Sequence, residues 1–324
     1  MKTALVTGIT GQDGNHLTDL LLAKNYRVVG LINGQRNQGL DTFKLRFPSV
    51  ELIHGDLADF SSLLNVLSIS APDEVYNLGA ISFVGMSFKQ PELTSNITGL
   101  GPLRLLEAIR KMGAESSVRF YQASSSEMFG KVHETPQSEQ TPFHPRSPYG
   151  VAKVFAHFIG VNYREAYGMH ISNGILFNHE GEYRGHEFVT RKITSNLAKI
   201  KLGKIENFSL GSLEPKRDWG YAGDYVEAMW LMLQQNQPDD YVIATGETHS
   251  VKEFLLESMK VLDLGDDIEK YVKMDSTFLR PSEVDLLRGD SSKARMRLGW
   301  KPKLDFYGLV ERMTLNDLRI ESGS

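Results

Sequence analysis

The chain has 324 residues, 41% of them hydrophobic and 23% charged, with no cysteine and a formal net charge of −4. A chain of this length buries about 75% of its unfolded surface, so one large domain or two smaller ones with a sizeable core are expected, and disorder throughout is excluded. The missing cysteines exclude disulfides, thiolate metal sites and cysteine nucleophiles, and the mild negative charge argues against a nucleic-acid surface.

The N-terminus carries no apolar run long enough for a secretory segment, and no 18-residue apolar stretch follows for a membrane span. A cytoplasmic protein without membrane or nucleic-acid partners is the expectation. Ala4–Thr7 predicts a buried strand, then a glycine-rich turn, then a helix whose apolar face holds Leu17 and Leu21. Arg27–Ile32, Val50–His54, Glu74–Leu78, Val118–Ala123 and His170–Leu176 predict further strands. Helical patterns separate them near Ser61–Leu67, around Leu103, Leu106, Ile109 and Met112, and after Pro148. Strands alternating with helices imply parallel βαβ units, hence a Rossmann-type doubly wound α/β sheet.

The rhythm breaks after Phe177, where Lys192–Lys201, Asp224–Gln234 and Val251–Leu262 look helical and Tyr241–Ala244 strand-like. We expect a Rossmann domain over 1–177 with parts of 215–250. A smaller interleaved lobe over 178–214 and 251–324 would bind substrate, with a soft boundary between the two.

Gly8-Ile9-Thr10-Gly11-Gln12-Asp13-Gly14 joins the first strand to the first helix. Glycines there permit a tight turn, let backbone approach a pyrophosphate and let helix pack on strand, while the helix start offers unpaired N–H groups to phosphate. The spacing G-x-x-G-x-x-G matches the dinucleotide fingerprint loosely. An acidic residue ending the second strand would select NAD, but Leu31-Ile32-Asn33-Gly34-Gln35-Arg36 has none. Arg36 suits a 2′-phosphate, which favours NADP with NAD as the alternative. A solvated loop arginine is the plainer reading of Arg36.

Tyr149 and Lys153, four residues apart, share one helix face. Bringing a phenol from about 10 to near 7 needs about 4 kcal/mol, which a close ammonium and an oxidised nicotinamide would supply. Tyr149 would then accept the proton of a substrate hydroxyl as hydride leaves its carbon.

Together with Tyr121-Gln122-Ala123-Ser124-Ser125-Ser126-Glu127 and Arg146-Ser147-Pro148-Tyr149-Gly150-Val151-Ala152-Lys153, these segments resemble the extended short-chain dehydrogenase/reductase superfamily. More narrowly the chain resembles the GDP-mannose 4,6-dehydratase family over essentially its whole length. Asn173–Glu180, Phe188–Lys192, Lys216–Gly220, Arg280–Asp285 and Leu298–Pro302 carry that narrower likeness. The resemblance implies hydride transfer from C4 to NADP, removal of the C5 proton by Glu127, loss of water from C6 and return of the hydride to C6. It gives Ser125 a hydrogen bond to the C4 oxygen. Related decarboxylases also carry the Ser-Ser-Ser-Glu tetrapeptide, so the downstream segments make the distinction.

By the same resemblance Asn178, Arg184, Arg217 and Arg280 face the diphospho-sugar, Val189 and Lys192 the base, and Glu283 the ribose. Ser82 is placed near the sugar, Asp56 and Leu57 near adenine, and Leu78 in the cofactor cleft. Trp219 and Trp300 read as packing residues. The histidines show no metal spacing, so no metal is expected.

Three departures stand out. The family has threonine where Ser125 stands. It reads Ser-Pro-x-Arg where this chain has Gly181-Glu182-Tyr183-Arg184, and a carboxylate added near the sugar suggests altered specificity, for example toward a GDP-linked heptose. It carries paired arginines at Gly34-Gln35 that help to hold its tetramers, so a homo-oligomer built as a dimer through Thr98–Met112 and Tyr149–Tyr163 is expected. A C4 epimerase or dehydrogenase on a related nucleotide sugar, needing no Glu127, is the alternative enzyme. A cofactor-binding scaffold without turnover is the alternative outside catalysis.

Overall fold

A computed structural model describes residues 1–34, 39–278, 282, 284 and 286–323. Seven strands form one sheet: β1 (Thr3–Thr7), β2 (Arg27–Ile32), β3 (Glu51–His54), β4 (Glu74–Asn77), β5 (Arg119–Ser125), β6 (His170–Leu176) and β7 (Asp240–Ile243). Their order is β7-β6-β5-β4-β1-β2-β3, and every neighbouring pair is parallel. β1 has β2 on one side and β4 on the other. The chain therefore leaves the two sides of this point in opposite directions, which opens a crevice at the carboxyl edge of the strands.

Helices cover both faces. On one, α1 (Gln12–Ala23) and α6 (Ala222–Gln234) bury Leu17, Leu21, Val226, Met229 and Leu233. On the other lie α2 (Phe60–Ser70), α3 (Leu100–Lys111) and α4 (Pro148–Tyr167), with Leu63, Val66, Leu105, Ile109 and Tyr163 in the core. β1 and β2 are buried along nearly their whole length, which accounts for the apolar runs Ala4–Val6 and Val28–Ile32.

A third core joins α5 (Val189–Lys201), α7 (Val251–Val261) and α8 (Phe306–Ser322) around Trp219, Phe254 and Phe306. Ala294, Leu298 and Trp300 pack instead with the sheet, so the segment 251–324 divides between the two cores. Trp219 and Trp300 are buried packing residues, and the Trp300 indole donates to the Asp224 carbonyl at 2.8 Å. Among the described residues no helix is long and apolar enough to cross a membrane.

Candidate active site

A cavity of about 350 Å³ opens at the carboxyl edge of the sheet. Its floor is the turn Gly8–Gly14. Gly8 has φ +66°, and a Cβ there would lie 2.9 Å from the Gly79 nitrogen. A Cβ on Gly14 would lie 2.2 Å from the Ile9 carbonyl oxygen, so this glycine lets α1 pack on the turn. Gly11 is the N-cap of α1 and brings no side chain to cap it. The helix start is thus left to offer its N–H groups to the cavity, where an anion is stabilised by them and by the helix dipole. Gln12 lines the same wall, and its buried Oε1 has no hydrogen-bond partner. A glycine cradle, an uncapped helix start and an orphaned amide oxygen fit a dinucleotide phosphate.

The reactive side chains hang from the end of β5 and the start of α4. Ser147 caps α4 by accepting from the Gly150 nitrogen at 3.0 Å, and Pro148 follows at the first helical position. That cap sets Tyr149 and Lys153 on the cavity side, where Ser125 and Glu127 also lie. The Glu127 amide donates to Ser125 Oγ at 3.2 Å, and Ser125 hydrogen-bonds the Tyr149 phenol.

Lys153 Nζ donates to the Ala123 carbonyl at 2.7 Å. The same carbonyl ends a buried relay across the sheet. Thr7 Oγ1 donates to Asn77 Oδ1 at 2.7 Å, Asn77 Nδ2 to Gln122 Oε1 at 2.9 Å, and Gln122 Nε2 to Ala123 at 3.0 Å. Side chains of three strands thus fix the acceptor that holds the lysine.

Burial dominates the electrostatics here. Burial raises the Tyr149 phenol above its ordinary value, and the Glu127 charge adds to the rise. Ser125, by its hydrogen bond, is the chain's strongest opposing group. Lys153 sits 5.6 Å from the Tyr149 ring centre, is bonded elsewhere, and is itself lowered to about 8 by burial. The lysine alone therefore does not bring the phenol toward neutrality. A buried ammonium beyond hydrogen-bond reach loses much of its effect to its own desolvation.

Of the other expected positions, Thr10, Asp13, Leu78, Ser82, Asn178 and Arg184 line the cavity. Asp56 and Leu57 lie outside its lining. Asp56 closes a local turn by accepting from the Ala58 amide at 2.8 Å, and Leu57 is buried. Val189 and Lys192, in the first turn of α5, and the buried Arg217 also lie beyond the lining. Arg36, Arg280 and Glu283 fall outside the described residues.

Asp13 has a second partner that its place in the turn does not reveal. His179 Nε2 lies 2.9 Å from Asp13 Oδ2, while Nδ1 faces the Phe177 carbonyl at 2.7 Å. Burial opposes both charges. Even so, the His179 charge and hydrogen bond hold Asp13 well below the usual carboxylate range, and Asp13 raises His179.

Tyr183, Arg184, Gly185, Glu187 and Phe188 line the cavity; Glu182 does not. Its carboxylate pairs with Arg312 instead. Arg184 pairs with Glu180 at 2.9 Å and stacks on the Phe188 ring at 3.5 Å. His179, Tyr183, Glu187 and Phe188 were not singled out by pattern. The sequence signal for His179 and Phe188 is their place inside Asn173–Glu180 and Phe188–Lys192, which carry the family likeness, and Tyr183 and Glu187 have only their nearness to Arg184.

A family model described as GDP-mannose 4,6 dehydratase matches residues 5–313. The chain is 52% identical to GDP-mannose 4,6 dehydratase 1 of Arabidopsis thaliana, over 98% of this chain and 90% of the relative. It is 51% identical to the GDP-mannose 4,6 dehydratase of Dictyostelium discoideum, over 98% of this chain and 96% of the relative. Among solved structures it is similar to a Thermus thermophilus UDP-glucose 4-epimerase in complex with NAD. That likeness has a TM-score of 0.83 and 26% identity, and covers 97% of this chain and 98% of the other.

Proposed function

Because the chain belongs to the GDP-mannose 4,6-dehydratase family, we propose that its cavity converts GDP-mannose to GDP-4-keto-6-deoxymannose, the work of a hydro-lyase. One observation carries the reading. Ser125, Glu127, Tyr149 and Lys153 share a single cavity with the Gly8–Gly14 cradle.

Gly8, Thr10, Gly11, Gln12, Asp13, Gly14 and Leu78 would hold a nicotinamide dinucleotide, with Tyr149 and Lys153 at its reactive end. The cofactor is proposed to be NADP, since Asn33-Gly34 after β2 offers no carboxylate against a 2′-phosphate. Held there, such a cofactor would supply reversible hydride transfer, out from C4 of the sugar and back to C6.

The chain's own groups manage the protons. Tyr149 takes the proton of the C4 hydroxyl, and Ser125 bonds the same oxygen and steadies the phenolate. The new C4 ketone acidifies the C5 proton, so a carboxylate is base enough, and Glu127 removes it. That proton leaves with the C6 hydroxyl as water. The proton stored on Tyr149 balances the hydride when C5 and C6 are saturated again, so nothing is consumed beyond the sugar nucleotide. Asn178, Ser82 and Arg184 would hold the sugar and diphosphate from the cavity wall. Arg217 and Arg280 would join them at the diphosphate, Val189 and Lys192 would meet the base, and Glu283 the ribose.

A homodimer is proposed as the working form. Val151, Phe155 and Phe158 form an exposed apolar stripe at helical spacing on α4, and Leu100 at the start of the neighbouring α3 is also exposed. Contiguous exposed apolar surface of this kind marks protein contacts.

The test is incubation with GDP-mannose followed by mass spectrometry of the sugar nucleotide. Loss of one water with no net change in cofactor is expected. Unchanged mass with inverted C4 would mean epimerisation, and loss of two hydrogens with reduced cofactor would mean dehydrogenation. Glu127→Gln should abolish water loss while leaving cofactor affinity unchanged, and full activity in that variant removes Glu127 from its role.

A further inference from the structure

We propose that Glu182 is a positioning residue that shapes the substrate wall 181–188 by fastening its outer face to α8 where it packs on α1. The proposal rests on reading this cavity as the GDP-mannose site. Glu182 is mostly buried; its Oε1 accepts from Arg312 Nε of α8, and it accepts from the Tyr221 hydroxyl. Its Oε2 packs 3.7 Å from His16 Nε2 of α1, beyond hydrogen-bond distance, and both atoms are buried without a hydrogen-bond partner. Gly181 makes this approach possible, because a Cβ there would stand 2.9 Å from His16 Nε2.

The neighbouring backbone is fastened to the same helix. Arg191 Nη1 accepts no proton but donates to the carbonyls of Glu182 and Arg184, and Arg191 Nε pairs with Asp317 of α8 at 2.7 Å. Tyr183 packs edge-on against His16 at 4.9 Å and lies 4.2 Å below the Arg46 guanidinium. Glu182 thus points out into a web of contacts, while Tyr183 and Arg184, next in the chain, point into the cavity. A shift at 182 is passed directly to the two side chains that face substrate.

An exposed ion pair contributes little, and Arg312 is itself half exposed. The proposal therefore concerns geometry, and its signature is a split between substrate affinity and turnover. In the full chain, Glu182→Gln is expected to raise KM for GDP-mannose about tenfold, the scale of one lost charged hydrogen bond. kcat should stay within about threefold and the melting temperature nearly unchanged. Arg312→Gln should do the same, Arg312→Lys should recover part of the loss, and the double variant should be no worse than the more severe single one.

Hydrogen exchange without substrate gives an independent readout. Amides of 183–188 should exchange faster in Glu182→Gln, with those of α1 and α8 unchanged. Unchanged KM and unchanged exchange in the wall would overturn the proposal. So would parallel loss of kcat and melting temperature, which marks general destabilisation. If the wild-type chain fails to dehydrate GDP-mannose, the functional reading falls, while the exchange experiment still decides whether Glu182 fastens the wall.

Discussion

The Asp13–His179 pair shows how two neighbours can overrule burial. Each group is desolvated, which works against its charge, yet each holds the other ionised at 2.9 Å. The signs differ. Asp13 is depressed, so its contribution to stability is present above the ordinary 3.8 and is lost as pH falls through its folded value. His179 is raised, so its contribution is complete below 6.5 and is lost as pH rises through its folded value. The pair therefore stabilises the fold between those limits. In a histidine NMR titration, His179 should titrate above 6.5 in the wild type and lower than that wild-type value in Asp13→Asn, where only the Phe177 carbonyl still opposes burial. Asp13 was legible in the sequence as part of the turn. His179 was not, because its partner lies 166 residues away and no local pattern encodes that distance.

At the scale of elements, the strands were the most legible part. Arg27–Ile32 falls where its apolar run places it, because a strand buried on both faces favours such a run, and His170–Leu176 falls where expected although buried Ser172 and Asn173 interrupt its apolar residues. α8 escaped notice, although Phe306, Leu309, Val310 and Met313 form a regular buried stripe; its polar face lowers its overall hydropathy. The glycine turn was legible as a motif, but which glycine does which work was not. A Cβ on Gly14 meets the Ile9 backbone, whereas one on Gly11 comes only to 3.2 Å of the Gly8 oxygen. Gly14→Ala should therefore destabilise the fold by about 3 kcal/mol, the upper end of overpacking costs. Gly11→Ala should melt close to the wild type and lose cofactor affinity instead. Thermal melts paired with cofactor titration check both.

For the whole molecule, the sheet, its helices and the third core bring distant segments to one edge. The exposed stripe on α4 is the back of the helix that carries Tyr149 and Lys153 on its front. Pairing through it would stiffen the catalytic helix from behind. With the proposed pairing through α4 and the proposed roles of Tyr149 and Lys153, Phe158→Glu should halve the mass seen by sedimentation equilibrium and lower kcat more than it raises KM.

The fastening of the wall 181–188 to α8 has a consequence for synthesis. Arg312 follows Glu182 by 130 residues, so a ribosome that has released the wall has not yet made its anchor. The glycine turn and β1 to β6 can assemble on the emerging chain, and with them a place for dinucleotide. The sugar side cannot take its final shape until α8 has emerged and docked. Nascent protein should thus become competent for cofactor well before it becomes competent for substrate.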